Sequence, residues 1–424
     1  MRPTLLFSLG LAACQSAPEG AAPNCTTRDS AGVQIVTSTT PAWQEGEGWR
    51  VDSVPMTVIG ADENDPQQQW RYVETAARRS DGSVAVAIEG SIRLFGADGR
   101  FVQLLSRSGN GPGEFRYIAA LRTMAGDTLV AQTEFGHRVA HFAPDGTLVR
   151  EERFEREELS RFGPWHECDS GMLADETRYA CKKDPSIPLT ATNREDVVDA
   201  NYSSSPGPGF LRQLFRIWLV TPARDTAFPV GIVTGLEQFG VEIAPGREEF
   251  VVHPFYSRSR LASGGNPLRL AIATNPDYRI ELWSTAGKLE RIIERTGARI
   301  APTAGDAEQA RVSMRAQLKY LDEPTRERVL AEVPTPDSLA AVLGLAITPA
   351  GELLVQREGF LPSQQASVWD VFDRDGRFLG PIRIPGHMRI IAAGDDHLLM
   401  LRRTEDEAWL VEVYRFTRQD DTIP

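Results

Sequence analysis

The sequence predicts an all-β chain, a six-bladed β-propeller closed by an N-terminal strand, with a short helical insertion near residues 304–333. Three observations predict it. First, Trp70-Arg71-Tyr72-Val73 returns 45 residues later as Phe115-Arg116-Tyr117-Ile118 (115 − 70 = 45), and a period of roughly 40–50 residues holding several short strands is a propeller signature. Second, four segments share an aromatic residue, three residues, a glycine, a polar residue and a large apolar one. They are Phe95 to Phe101, Phe142 to Leu148, Trp283 to Leu289 and Phe372 to Phe378. In three of them Asp98, Asp145 or Asp375 precedes the glycine, which is the chemistry of a tight hairpin. Third, Gly82, Gly126, Gly171, Gly351 and Gly394 each lead an apolar run, at gaps of 44, 45 and 43 where they are consecutive (126 − 82, 171 − 126, 394 − 351).

Bulk properties agree. With 424 residues and 41% apolar content the chain buries a large core, and 36 Gly with 28 Pro supply the turns that many short strands need. A formal charge of −12 and the lack of a long Lys/Arg run exclude a nucleic-acid footprint. No apolar stretch is long enough to make a spanning helix.

Taken in order, residues 1–14 read as a signal segment. Arg2, an apolar run from Leu5 to Leu11, and Ala12-Ala13-Cys14 resemble the lipobox of bacterial lipoproteins, which makes Cys14 the expected lipidation site and the chain an exported one. Gln15 after the cysteine implies, by that resemblance, the outer membrane. Residues 15–31, rich in Ala, Pro, Gly, Ser and Thr, are expected to be a flexible tether, with Cys25 left as a free thiol. The propeller then runs over 32–424. Its blades are expected at 71–110, 116–156, 162–235, 247–298, 340–386 and 388–416, a seventh having room only within 182–250. Segment 33–60, through Val58-Ile59-Gly60, is expected to supply the outermost strand that the last blade lacks. Cys168 and Cys181 bracket a hairpin pattern and are expected to form a disulfide, permitted by export. Residues 182–210 read as a long loop. Ala307, Ala310, Met314, Leu318 and Leu321 recur at helical spacing, and Pro324 suits the first turn of a second helix carrying Val329, Leu330 and Val333.

The run Ser91 to Phe101, then Gly109-Asn110-Gly111-Pro112-Gly113-Glu114-Phe115, with the opening Asp29 to Val36, resembles bacterial six-bladed β-propeller lipoproteins related to NHL repeats. The resemblance covers about residues 28–416 and departs most in blade three, where Val220 to Arg224 replaces the hairpin turn. It implies a fold and assigns no reaction. Some such relatives are calcium-dependent lactonases, and Glu176, Asn266, Asn275 and Asp277 are the conceivable oxygen ligands for calcium here.

Other chemistry is sparse. The Gly109–Gly113 loop lacks the Lys-Ser/Thr and helix start of a phosphate cradle and reads as a turn. Of the six histidines, His137 and His141 share one face of a strand but lie about 13 Å apart. His166, His253, His387 and His397, like that pair, read as solvated or core residues. CxxC spacing, His-Glu-x-x-His and Gly-x-Ser-x-Gly are absent from the sequence, so no metal ligand or catalytic residue is assigned and no cofactor is expected. The expectation is a lipid-anchored envelope module that binds a protein, small molecule or glycan at its channel face, with a calcium-dependent lactonase as the alternative.

Overall fold

The computed structural model describes residues 12–13, 24–44, 46–133, 138–153, 171–172, 178–182, 208–222, 226–255, 259–274, 277–358, 366–386, 388–404 and 406–418. They form six antiparallel sheets in chain order. Sheet one holds Thr75–Arg78, Val84–Ile88, Ser91–Phe95 and Phe101–Ser106; sheet two Ala120–Thr123, Leu129–Gln132, Arg138–Phe142 and Leu148–Arg153. Sheet three holds Gly171–Met172, Arg178–Lys182, Gly209–Val220, Ala227–Ala244 and Arg247–Val251. Sheet four holds Arg260–Gly264, Arg269–Ala273, Arg279–Ser284 and Leu289–Arg295; sheet five Gly344–Ile347, Leu353–Glu358, Ala366–Phe372 and Phe378–Pro385. Sheet six holds Met388–Ala393, His397–Arg403 and Trp409–Thr417.

Each sheet is a simple meander, and the sheets stack face to face through apolar seams. Ile92 and Leu94 meet Leu129 and Phe142 between sheets one and two. Phe215 and Ile217 meet Leu270 and Ile272 between three and four. Trp369 and Ile382 meet Leu398 and Met400 between five and six. Sheet six returns to sheet one, with Leu399, Leu401, Val411 and Val413 against Val84, Val86 and Phe95. The first strands of sheets one and two, four and five, five and six, and six and one lie side by side. Small residues make that approach possible: a Cβ on Gly264 would sit 2.7 Å from the Ile347 carbonyl oxygen of the next first strand. Sheets arrayed in this way, first strands inward, define a β-propeller.

The repeated hairpin has the expected structure. Gly99, Gly146, Gly287 and Gly376 have φ of +80°, +88°, +74° and +83°, which an L side chain adopts only at a cost. Each joins the third and fourth strands of its sheet. The aromatic residue ahead of each turn faces the preceding sheet: Phe95, Phe142 and Phe372 are fully or almost fully buried, and Trp283 packs against the seam of sheets three and four.

Three expectations are corrected. Residues 25–31 are not tether: Cys25–Ser30 pairs with Val33–Ser38, a strand whose Ile35, Val36 and Ser38 are buried. Segment 33–60 does not go to one sheet. Val33–Ser38 lies parallel to Leu289–Arg295 on the outer edge of sheet four, Ala42 and Trp43 donate to the Phe378 and Leu379 carbonyls of sheet five, and Arg50–Val51 and Thr57–Ile59 pair with Trp409–Thr417 of sheet six. Sheet three runs to Val251 rather than 235, since Ala227–Ala244 is one 18-residue strand and Arg247–Val251 folds back on it.

Two helices occupy the predicted insertion, α1 (Ala304–Gln317) and α2 (Glu323–Glu332). Thr303 and Asp306 form a capping box at the start of α1, and Asp322 with Pro324 starts α2. Met314, Leu318, Val329 and Leu330 pack on Val241 and Val251, so the helices brace the prolonged ribbon of sheet three. Ala310 is also buried, against Phe255, while Ala307 is only half-buried.

Candidate functional site

The repeated tetrapeptides lead into the first strands of sheets one and two. Alternation decides where their side chains go: Trp70 and Phe115 pack in the seams, Val73 and Ile118 are buried, and Tyr72 and Tyr117 point outward with 39% and 45% of their surface exposed. Two phenol rings therefore stand at one end of neighbouring sheets, with Tyr117 close enough to add slightly to the rise at the Tyr72 hydroxyl. Burial, with the carboxylates of Glu74 and Glu89 nearby, raises the Tyr72 hydroxyl above its ordinary value.

Glu74 ties this region together. One carboxylate oxygen accepts from the Gly90 amide at 3.1 Å and, at 3.5 Å, from the Tyr72 hydroxyl. The other accepts from the Ile118 amide at 3.0 Å, across the junction to sheet two. The Glu74 carbonyl accepts from Arg389 of sheet six at 3.4 Å. Desolvation outweighs these donors and pushes the Glu74 carboxyl up to about 7. Glu89, held at φ +49° ahead of Gly90, accepts from the Arg71 amide at 3.0 Å, which fixes the turn beside the tyrosines. The rim thus offers aromatic faces, exposed Arg71 and Arg116, and a carboxyl that titrates near neutrality.

The residues weighed from sequence fall elsewhere. Cys14, Cys168, Glu176, Asn275, His137, His166 and His387 lie outside the described residues. Cys181 is on Arg178–Lys182, opposite Ile217, and the expected hairpin is present, Gly171 and Met172 pairing with Tyr179 and Arg178. Cys25 is corrected: it is 1% exposed and disulfide-bonded, because the strand that replaces the tether carries its side chain inward. Asn266 and Asp277 lie beyond opposite ends of the strand Arg269–Ala273, which alone spans about 13 Å at ordinary strand rise, so one ion cannot take both. Asp277 instead pairs with Arg299 at 3.3 Å.

His141 is buried and 3.2 Å from an Arg150 nitrogen. His253 is buried against Phe255, whose amide donates to Nδ1 at 3.1 Å, and burial pushes its imidazole down to about 4. His397 has Nδ1 2.9 Å from Asp396 and 3.3 Å from Arg78. The glycine-rich loop spends its amides on the protein's own carboxylates, Gly111 donating to Glu114 at 3.0 Å and Gly113 to Glu151 at 2.5 Å. Among the described residues no cluster of three or more His, Cys, Asp or Glu could hold a metal.

Glu74 is the functional candidate that reading the sequence missed. Its position two residues beyond the repeated tyrosine was visible, but what it bonds is decided by a turn and a neighbouring sheet.

No protein-family model matches the chain, and no curated relative does. Among solved structures, a candidate exported protein of Bacteroides fragilis is 10% identical, with a TM-score of 0.44 over 91% of this chain and 99% of that one. Virginiamycin B lyase of Staphylococcus aureus is 8% identical, with a TM-score of 0.38 over 87% and 99%. A gluconolactonase of Xanthomonas campestris is 13% identical, with a TM-score of 0.39 over 82% and 87%. With TM-scores below 0.5, none of these likenesses bears on what the chain does.

Proposed function

We propose that the chain is an exported six-bladed propeller, akin to the NHL-like envelope lipoproteins, anchored through a lipid on Cys14, in the outer membrane, and closed by Thr57–Ile59. Its role is non-catalytic binding of a protein, glycan or small molecule at the rim of sheets one and two. The observation that supports it is the repeat itself: one exposed tyrosine on each of two adjoining sheets, beside a partly desolvated carboxyl and outward arginines. Aromatic faces flanked by fixed polar groups suit recognition of amphipathic ligands.

The test is a glycan and peptide binding screen with wild type, Tyr72→Ala and Tyr117→Ala. Each substitution is expected to weaken a rim ligand by roughly two- to tenfold. Unchanged affinity in both variants rejects the rim. A lactone screen in calcium addresses the alternative, and turnover abolished by chelation would replace the binding role with the lactonase.

The covalent proposals are tested together. A peptide map of protein extracted from the envelope is expected to find diacylglyceryl on Cys14. A bridge between Cys168 and Cys181 is the alternative covalent proposal: Cys25 is bridged and its partner within the chain is Cys14, Cys168 or Cys181, so a lipidated Cys14 and a Cys168–Cys181 bridge do not both stand beside it. A recovered Cys14–Cys25 peptide removes the anchor, since a thioether sulfur cannot also form a disulfide.

A further inference from the structure

The outer edges of the sheets are defended unequally. Sheets four, five and six are lined by the chain's own residues 33–38, 42–43, 50–51 and 57–59. The outer strand of sheet five also carries Pro381 and Pro385, which cannot donate to a ladder. The outer strands of sheets two and three are studded with charge, Arg150-Glu151-Glu152-Arg153 and Arg247-Glu248-Glu249. Charge and proline on an edge discourage another strand from pairing.

Phe101–Ser106 of sheet one has neither defence. Its sequence, Phe-Val-Gln-Leu-Leu-Ser, contains no charge and no proline, and among the described residues no strand pairs with its outer edge. Alternate side chains turn inward: Gln103 donates to the Asp145 carbonyl at 3.2 Å, and Leu105 packs in the seam with sheet two. Val102 and Leu104 turn outward, 57% and 45% exposed.

We propose that this edge receives an added β-strand from a partner protein, an extended segment of uncharged β-forming residues with acidic residues at both ends. The chain contains the precedent, Val33–Ser38 laid in parallel on Leu289–Arg295. Main-chain bonds along the edge supply affinity, and Val102 and Leu104 supply the apolar contact. Charge selects the partner. Arg100 stands before the strand, 88% exposed with Asp98 3.8 Å away, and exposed Arg107 stands after it. Two copies paired antiparallel about the strand's centre would set Arg100 against the Arg107 of the other copy at both ends, a like-charge arrangement that disfavours self-pairing. Acidic flanks reverse the sign of both contacts.

The experiment uses the full chain and two labelled peptides, Val-Gln-Ile-Val-Thr-Ser flanked on each side by Asp-Glu or by Lys-Lys, read by fluorescence anisotropy. The acidic peptide is expected to bind about tenfold or more tightly than the lysine peptide at low salt, the preference shrinking toward about 0.5 M salt. Val102→Lys with Leu104→Lys removes binding of both. Arg100→Glu with Arg107→Glu, which leaves the apolar face intact, inverts the preference and serves if the first variant fails to fold. Equal affinity for the two peptides, or no inversion by the glutamates, overturns the proposal. So does a wild-type dimer in sedimentation that the lysine pair dissolves, because the occupant is then a second copy.

Discussion

The seam between sheets six and one and the seam between sheets four and five do the same job with different chemistry. The first is hydrocarbon: Ile59, Val84, Val86, Phe95, Leu399, Val411 and Val413 are all under 3% exposed. The second has an apolar body, but sets Asp370 within it, with no exposed surface. Asp370 accepts from Tyr278 at 2.8 Å and from Arg295, and its other oxygen lies 3.6 Å from Arg357. The Arg295 guanidinium stacks 4.2 Å over Phe378. Hydrocarbon burial is strong but tolerates sliding and repacking. A buried carboxylate with directed donors fixes which residues meet, at the cost of its desolvation. The two seams therefore separate adhesion from registry.

The largest effect is expected at the polar seam. Asp370→Ala leaves Arg295 and the Tyr278 hydroxyl without this acceptor, removes the negative charge beside Arg357, and should cost about 3–5 kcal/mol in denaturant unfolding. Burial outweighs both guanidiniums and raises the Asp370 carboxyl above its ordinary value. The sign follows: its stabilising share is full below the unfolded-state value and is lost as pH climbs through the raised one. The Asp370→Ala deficit should accordingly shrink as pH rises, and a deficit that grows would refute the assignment.

Phe95→Ala, at the hydrocarbon seam, should cost a comparable ~3–4 kcal/mol through lost burial and a cavity. That loss should show little dependence on pH or salt. A steep pH slope would mean the two seams do not differ as described.

A third junction, between sheets one and two, sharpens the contrast. Glu74 titrates at about 7, against 4.5 ordinarily, so its contribution is full below the lower value and lost as pH rises through the upper. Glu74→Gln should flatten wild-type stability across that window while costing roughly 1–2 kcal/mol for the amide it can no longer accept. The smallest change is Trp70→Phe, which removes the indole donor to the Trp409 carbonyl at 3.0 Å and should cost about 1 kcal/mol.

Legibility in the sequence follows the range of the interaction. The four glycine hairpins, three of them Asp-Gly, their seam-facing aromatics and the two helices were readable because a turn or a helical stripe is set by neighbours a few residues apart. Thr57–Ile59 beside Trp409–Thr417 was readable because the final sheet was one strand short. The parallel seat of Val33–Ser38 was not, since nothing local distinguishes sheet four's edge from sheet six's. Cys25 was misjudged with it, composition around it being that of a tether. Asp370, Arg295 and Tyr278 are spread over three strands or connections, and nothing in their spacing joins them.

The pairing of Ile59 with Val411 has a consequence for how the molecule is made (411 − 59 = 352). During synthesis those early residues wait for a partner strand that emerges only after five sheets have left the ribosome. At common elongation rates of about 5–20 residues per second, that interval is tens of seconds. The pairing that joins the two ends of the chain is therefore among the last to form.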